Sequence, residues 1–480
     1  MCGLLHVDFI YIPHTVARFF AEQFFFPMTT PQTYRVGTLE YTLRGICVLF
    51  FWLLWGDFAA SFFGGVFGPF LTIYLKDLQA SNVLIGVMMG SIGGVINILF
   101  LPGISRKSDE CRSRWGRRIP FLAICTPIKV FSLIMIGFAP EVGGWIYTHV
   151  VHPIAPSITV QAVCLSWLCI FIVAFHYLGM VFNNAFTWLM HDVVPQSFMA
   201  QFLSWFRFVG TIAGVAFNWY LFPSIMSHRK EICVGLGLFY LVVFLMMCWK
   251  VKEGEYPPVV PAKKKPSVLQ AYGGYFRSCL SVPMYRNMFI AGMINGCFGC
   301  AGTFLILFYQ KTLGISMEDL GKVFAITGIT SLCALAPMGW LCNKFSAFYV
   351  SLTCGVGGII MTIISYFFIH DKQSLLTILI IGNLIATAGA ISGATLGMQI
   401  FPHAKFGQFS AAGMVFGCGI GVLGNYLAGT FMDAMHSNYR MAYPWMLLGG
   451  LLGLIPTFFV YRDWRRYGGP DNYVPPEPPE

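Results

Sequence analysis

Residues 44–65 read RGICVLFFWLLWGDFAASFFGG, an apolar stretch whose only charged residues are Arg44 and Asp57. A membrane-spanning helix needs about 20 mostly apolar residues, so this stretch predicts a membrane span. A lone carboxylate at the bilayer centre costs about 3 kcal/mol or more on insertion scales, and it persists where it faces a water-filled cavity or a partner. Asp57 therefore predicts an ion-coupling or substrate site, or else a structural ion pair inside a helix bundle.

The composition of the whole chain points the same way. Of its 480 residues, 57% are hydrophobic and only 10% are charged, whereas soluble domains carry about 25% charged residues. The net charge of +10 comes from short basic segments between apolar runs, which is the pattern of a polytopic membrane protein rather than of a nucleic-acid-binding one. We therefore expect a small-molecule substrate and the lipid bilayer as partners, no nucleic acid, and a monomer.

Apolar runs between charged or Pro/Gly-rich breaks predict twelve spans, divided six and six by a basic central loop. This predicts an all-α membrane protein with two six-helix halves related by a repeat. The predicted spans are residues 45–74, 82–104, 119–139, 162–187, 203–224, 232–249, 287–309, 323–341, 346–369, 374–400, 407–431 and 441–461. The predicted organisation is an N-terminal cytoplasmic segment (1–43), a first half (44–249), a cytoplasmic linker (250–286), a second half (287–462) and a cytoplasmic tail (463–480).

The distribution of basic residues predicts the orientation. The side that carries both chain ends and the central linker holds 21 Lys and Arg residues, against 7 on the other side. Because basic loops remain in the cytoplasm, both termini are expected there, with the protein in the cell (inner) membrane.

Two further patterns are consistent with two related halves that move against each other. The polar segments 103–109 and 339–345 follow spans 2 and 8, and we expect them to be equivalent loops. Glycines repeat every four residues in spans 2 and 11, which favours close helix packing and sliding. These glycines are Gly86, Gly90 and Gly94 in span 2, and Gly413, Gly417 and Gly421 in span 11.

The segment between spans 2 and 3 carries a family resemblance. Residues 108–121 read SDECRSRWGRRIPF, which resembles the signature loop of the major facilitator superfamily. It is most similar to the extended form found in bacterial sucrose and glycoside–pentoside–hexuronide cation symporters. Residues 192–195 (DVVP) and 401–409 (FPHAKFGQF) resemble the same group. Two positions depart from the pattern, namely Glu110 in place of an arginine and Asn343 in place of an aspartate.

Charged residues near this loop are candidates for gating. Arg117 and Arg118 lie at the start of span 3, and Asp109 lies just beyond span 2. Charge-assisted bonds between such groups can join helix ends in one state and break in another, although plain positive-inside anchoring is the alternative. Arg207 in span 5 is expected to pair with Asp192 as a second latch, or to contact substrate.

Three titratable residues, Asp57, Lys129 and His176, are predicted near the membrane midplane, all in the first half. Ion coupling is therefore expected in that half. The resemblance implies that spans 1 and 4 line a central cavity and that span 3 is peripheral, so Asp57 and His176 are the two better candidates for ion coupling. Lys129 is either a counter-ion or a snorkelling side chain, and His176 could instead donate to a backbone carbonyl in the core.

Amide side chains at membrane depth both donate and accept hydrogen bonds, which suits sugar hydroxyls. They also join helices to one another, and aromatic residues more often pack than bind. The candidate substrate-binding residues are Trp55, Asn97, Asn183, Asn184, Asn295, Gln399 and Asn425.

These observations predict a secondary transporter and not an enzyme. The chain has no Gly-x-x-x-x-Gly-Lys-Ser/Thr motif for ATP and no His-Glu-x-x-His or Gly-x-Ser-x-Gly motif. An ion gradient is then the energy source. We expect proton-coupled symport of a sugar or glycoside by alternating access, with H+ as the coupling ion, no metal and no other cofactor. Sodium coupling stays open, as do transport of a lipid or other small molecule and a non-transporting sensor on the same scaffold.

Overall fold

The computed structural model describes residues 33–65, 68–256, 279–402 and 405–476. Predictions for residues 1–32, most of the linker (257–278) and the last four residues lie outside the described residues. The described residues contain twelve helical spans, which confirms the predicted all-α fold. Spans 1 to 6 are Leu43–Asp77, Asn82–Glu110, Ile119–Gly137, Val160–Val193, Gln196–Ser224 and Arg229–Lys250. Spans 7 to 12 are Pro283–Thr312, Met317–Cys342, Ala347–Phe368, Lys372–Ile400, Phe406–Ala434 and Tyr439–Arg466.

Several spans are interrupted rather than regular helices. Span 1 consists of Leu43–Gly64 and Pro69–Asp77. Wider π-helical turns occur in spans 2, 5 and 7, at Val87–Ser91, Phe217–Leu221 and Phe308–Thr312. Such turns insert one extra residue per turn and are frequent at functional sites.

Short elements flank the spans. A β-hairpin, Tyr34–Val36 paired antiparallel with Leu39–Tyr41, precedes span 1. Two short helices, Ala139–Ile146 and His152–Ile154, connect spans 3 and 4. The helix Gly469–Asn472 follows span 12.

We name the two sides of the molecule by their loops. The linker face carries the hairpin, residues 111–118 and the first linker residues 251–256. The opposite face carries the connections at 78–81, 138–159 and 435–438. Most helix packing is within a half, for example span 3 on span 4 and span 7 on span 12.

The halves meet through spans 2 and 11 and through spans 5 and 8, and the close glycine contacts between spans 2 and 11 lie near the opposite face. A Cβ on Gly86 would overlap the Asn425 carbonyl oxygen, and one on Gly90 would overlap the Asn425 side chain. The Ser91 hydroxyl donates to the Val422 carbonyl at 2.6 Å. The span 2 glycines therefore allow close approach of the two halves, as their spacing predicts.

The predicted glycine stripe of span 11 does not form this contact. Gly417 and Gly421 have open space where a Cβ would lie, and Gly413 faces Phe289 of its own half. Span 2 packs instead on the face of span 11 that carries Asn425. The spacing of glycines identifies a helix capable of close packing, but it does not say which face meets the partner.

The linker-face ends of the same helices are more open. Gly103, Gly339 and Gly407 lie near the linker-face ends of spans 2, 8 and 11, and nothing lies within 4 Å of where their Cβ atoms would be. Leu99 is 66% exposed and Met414 is 62% exposed. The halves are therefore packed together toward the opposite face and diverge toward the linker face.

The two polar segments predicted as loops are helical. Span 2 continues through Asp109 to Glu110, and the helix of span 8 continues to Phe345. Polar residues continue a helix once it has left the hydrocarbon, so the loss of hydrophobicity marks the membrane boundary and not the helix end.

Candidate functional site

Asp57 is enclosed within the first half. It is 4% exposed, and its Oδ2 atom is a buried oxygen with no hydrogen-bond partner among the described residues. It faces Gly210 of span 5, because a Cβ on Gly210 would lie 3.3 Å from Asp57 Oδ2 and 3.1 Å from Ser61 Oγ. The absence of a side chain at Gly210 thus leaves room for the carboxylate.

Arg207 lies on the same helix as Gly210. It precedes Gly210 by one turn on span 5, so it shares the side of that helix that faces Asp57, and the Ser61 hydroxyl lies beside the same carboxylate. The predicted span limits placed Arg207 one turn inside the membrane, but span 5 begins at Gln196. At about 1.5 Å per residue, Arg207 lies roughly 16 Å along the span. The predicted pairing of Arg207 with Asp192 is wrong, because Asp192 bonds other arginines.

His176 lies apart from this pair in its observed contacts. Its Nε2 atom lies 3.0 Å from the carbonyl oxygen of Met88, in the π-helical turn of span 2. Its Nδ1 atom faces Gly93 of the same span. The alternative predicted for His176, a bond to a backbone carbonyl, is observed, and its role in ion coupling stays a prediction.

Lys129 is surrounded by aromatic rings. It is 6% exposed, and its Nζ atom lies 4.5 Å from the ring centre of Phe182, 5.0 Å from Phe175, 5.2 Å from Phe63 and 5.6 Å from Tyr240. No carboxylate of the described residues lies within salt-bridge distance. Ring faces attract a cation, so Lys129 joins spans 1, 3, 4 and 6 and is not the counter-ion of Asp57.

The predicted latch residues meet at the linker face. Arg118 donates to Asp109 Oδ1 at 2.6 Å and to Ser108 Oγ at 2.6 Å, and its Nε lies 3.2 Å from Asp192 Oδ2. Arg117 forms a bidentate pair with Asp192, at 2.6 and 3.0 Å. This network ties spans 2, 3 and 4 together within the first half.

Glu253, just after span 6, completes the network. Its two carboxylate oxygens accept three consecutive backbone N–H groups, from Arg117 at 2.9 Å, Arg118 at 2.8 Å and Ile119 at 2.7 Å. The first N–H groups of a helix have no partner within it, so Glu253 caps span 3. Burial raises the pKa of the Tyr256 phenol, whose hydroxyl donates to Glu253 at 3.1 Å.

Glu253 is absent from the residues predicted on sequence grounds. The available signal was an acidic residue three positions beyond Lys250, where span 6 ends, at the start of a mostly basic linker. An acid placed there is close to the start of span 3 when spans 3 and 6 are neighbours, as they are here.

Most predicted substrate residues are engaged with their own helices. Trp55 stacks between Phe51 and Phe58 and meets Phe239 of span 6, away from the side of span 1 that carries Asp57. Asn425 is 7% exposed and lies in the seam with span 2. The side-chain amides of four of these residues donate to the carbonyl four residues earlier, namely those of Asn97, Asn184, Asn295 and Asn425. Asn183 and Gln399 are exposed.

The second half contains a cavity of about 230 Å³ between spans 7, 9, 10 and 12. Its wall includes Asn295, Ser351 and Thr457 together with small residues such as Gly355 and Gly453. Asn295 thus faces span 12 of its own half rather than the first half.

Comparisons with known proteins agree with this architecture. The family model of the Major Facilitator Superfamily matches residues 232–425. The sucrose transport protein SUT4 of Oryza sativa subsp. indica is 26% identical over 195 residues, which is 38% of this chain and 32% of the relative. The sucrose transport protein SUT3 of Oryza sativa subsp. japonica is 26% identical over 234 residues, 45% of each chain. The matched segments therefore span about a third to a half of these relatives.

Solved structures show the same fold over nearly the whole chain. A bacterial homologue of the human lysosomal transporter Spinster, in an inward-facing conformation, has a TM-score of 0.63 at 13% identity and covers 90% of this chain and 98% of its own. The nucleoside transporter NupG has a TM-score of 0.59 at 15% identity, with 86% and 98% covered. The fold is that of these solved structures, residues 232–425 match the Major Facilitator Superfamily model, and twelve helices of the described residues are long and apolar enough to span a membrane. In sequence the chain resembles sucrose transport proteins over part of its length.

Proposed function

We propose that this protein is a secondary active transporter that couples the movement of a sugar or glycoside to protons by alternating access. The observation that carries the proposal is Asp57, an enclosed carboxylate with one oxygen lacking a hydrogen-bond partner among the described residues, which faces Gly210 one turn from Arg207. Protonation of Asp57 neutralises a buried charge without displacing a structural partner from that oxygen. A group of this kind suits reversible proton binding during a transport cycle.

The sugar class is supported by the matched relatives, which are sucrose transport proteins. Exposed polar groups such as Asn183 and Gln399 supply the hydrogen-bonding chemistry that sugar hydroxyls require. In our proposal, substrate enters the space between the halves, and Asp57 and Arg207 lie on the first-half side of that space.

Uptake into proteoliposomes tests this function. Labelled monosaccharides, disaccharides and glycosides are supplied with a pH gradient, with a sodium gradient alone, or with neither. We expect at least one sugar to accumulate above its equilibrium level with the pH gradient, and a protonophore to abolish that accumulation. Movement of a fluorescent lipid in the absence of any sugar uptake would favour the lipid alternative, and sodium-driven uptake would contradict proton coupling.

In our proposal the linker face lies in the cytoplasm, and the described conformation is therefore open to the cytoplasm. The 21 to 7 bias of Lys and Arg supports this orientation. Reporter fusions after residue 263 and at the C-terminus should report the cytoplasm, and a reporter in the 140–156 segment should report the outside. A reporter at 263 that reads as external would contradict both the orientation and the division into six and six spans.

A further inference from the structure

We propose that Asp433, at the end of span 11, is a latch that holds the two halves together at the opposite face. The proposal rests on the alternating-access function proposed above, and it identifies which contact must break when the molecule opens on that side. Asp433 is a positioning residue in this scheme, since it acts on the conformational equilibrium and not on substrate.

The Asp433 carboxylate caps span 2 across the interface between the halves. Its Oδ1 atom accepts the backbone N–H of Asn82 at 3.1 Å and the Asn82 side-chain amide at 2.7 Å. Its Oδ2 atom accepts the backbone N–H of Val83 at 3.0 Å. Span 2 cannot satisfy these first N–H groups itself, and its N-terminus attracts negative charge. A carboxylate of one half therefore completes a helix of the other.

Asn82 lies in the middle of this contact and is fully buried. Its Oδ1 accepts hydrogen bonds from Lys76 at 3.2 Å and from the Tyr439 hydroxyl at 3.0 Å, and its amide donates to Ser437 Oγ at 2.9 Å. Lys76 belongs to the first half, whereas Tyr439 and Ser437 belong to the second. The polar groups of the two halves thus satisfy one another while the halves touch.

The local cap of span 2 cannot replace Asp433. Ser81, the residue before the helix, accepts the N–H of Leu84 at 3.2 Å, which leaves the N–H groups of Asn82 and Val83 to the partner half. Separation of the halves would transfer these donors and the carboxylate to water.

An ion pair also crosses the interface on this side, between Lys311 and Asp77 at 2.7 Å, with side chains 37% and 39% exposed. Exposed ion pairs contribute little to stability. The Asp433 contact, with three hydrogen bonds to largely buried donors, is the stronger of the two links.

Glu253 provides a useful contrast. It also caps a span with a carboxylate, but span 3 and Glu253 lie in the same half. Rigid rocking of one half against the other leaves the Glu253 cap intact and breaks the Asp433 cap. The structure therefore assigns the state-dependent role to Asp433.

Hydrogen–deuterium exchange of the full-length protein in nanodiscs, without substrate, tests the latch. In Asp433→Asn we expect the open-to-closed equilibrium at the opposite face to shift by about tenfold, because asparagine lacks the charge and one of the two acceptor oxygens. Peptides covering 78–90 and 425–441 should exchange faster. Peptides at the linker-face ends, 99–110 and 405–414, should exchange more slowly as that side closes.

The matched control is Asp371→Asn. Asp371 caps span 10 through Ser374, within the second half and on the same face. Its replacement should alter exchange near residues 371–378 only. Asn82→Ala removes the partner side chain instead of the carboxylate, so it should shift the open-to-closed equilibrium less, in the same direction. This variant decides the question if Asp433→Asn fails to fold.

Faster exchange confined to 425–441, with the linker-face peptides unchanged in both variants, would overturn the latch and leave Asp433 as a local cap. Because the measurement uses no substrate, its outcome is independent of the sugar and proton assignments. Failure of sugar uptake would likewise leave this result standing.

Discussion

Replacement of Asp57 by asparagine should abolish gradient-driven accumulation of the substrate while retaining exchange of substrate between the two sides. Asparagine resembles the protonated carboxyl in size and polarity, but it cannot release a proton to complete a coupled cycle. Moving one charge against 100 mV is worth about 2.3 kcal/mol, and about 1.4 kcal/mol corresponds to a factor of ten. We therefore expect accumulation to fall by more than tenfold, measured as the inside-to-outside ratio of labelled sugar in proteoliposomes.

The matched control for this experiment is Glu318→Gln. Glu318 lies in the first turn of span 8, where its side chain is 64% exposed and pairs with Lys322 of the same helix. Its neutralisation should therefore leave accumulation nearly unchanged. Full accumulation of substrate by the Asp57→Asn variant under a pH gradient would indicate that Asp57 has a structural role and does not couple transport to protons. Loss of exchange together with accumulation would indicate that Asp57 is needed for folding or binding rather than for coupling.

The second large effect is expected for Glu253→Ala. This change removes the acceptor of three backbone N–H groups at the start of span 3 and of the Tyr256 hydroxyl. Each unsatisfied buried donor costs about 1–3 kcal/mol, less where water can reach it. We expect a loss of about 2 kcal/mol or more on this basis, seen as a lower midpoint of thermal unfolding in detergent.

Glu253→Gln should be intermediate, because it keeps one carbonyl oxygen as an acceptor. The control is Glu255→Ala, two residues further along the linker, where the side chain is exposed and its backbone N–H bonds Thr38. Equal unfolding midpoints for the Glu253 and Glu255 variants would contradict the capping role. A shift that appears only in transport and not in the unfolding midpoint would place Glu253 in state interconversion instead.

Some features of the candidate site could be predicted from the residues alone, and others could not. Asp57 could be identified from the sequence because a charged residue in a long apolar run is unusual whatever structure the run adopts. Its surroundings could not be identified, because Lys129 and His176 are predicted at similar depth, Arg207 is predicted near the membrane edge, and helix rotation decides which side chain faces the carboxylate. A step of two residues along a helix rotates the side-chain direction by about 200°. Trp55 is near Asp57 in sequence, but it therefore points to another side of span 1.

The latch residues were only partly predictable for the same reason. Arg117, Arg118 and Asp109 are close in sequence, so their contact follows from a short connection between two helices. Glu253 is separated from Arg118 by 135 residues, and Asp433 is separated from Asn82 by 351 residues. Contacts of this kind depend on how helices are arranged around one another, which hydrophobicity does not encode.

The sequence by itself determined the number of spans, their approximate limits and the division into two six-helix halves, because crossing the hydrocarbon requires long apolar runs. It also located the polar and charged groups along those runs. Only the tertiary structure decided that Asp57 faces Gly210, one turn from Arg207, that four aromatic rings enclose Lys129 and that His176 bonds a backbone carbonyl. The physical reason is that insertion into the bilayer depends on the composition of each helix alone. The contacts of a side chain depend instead on how its helix is rotated and packed against other helices.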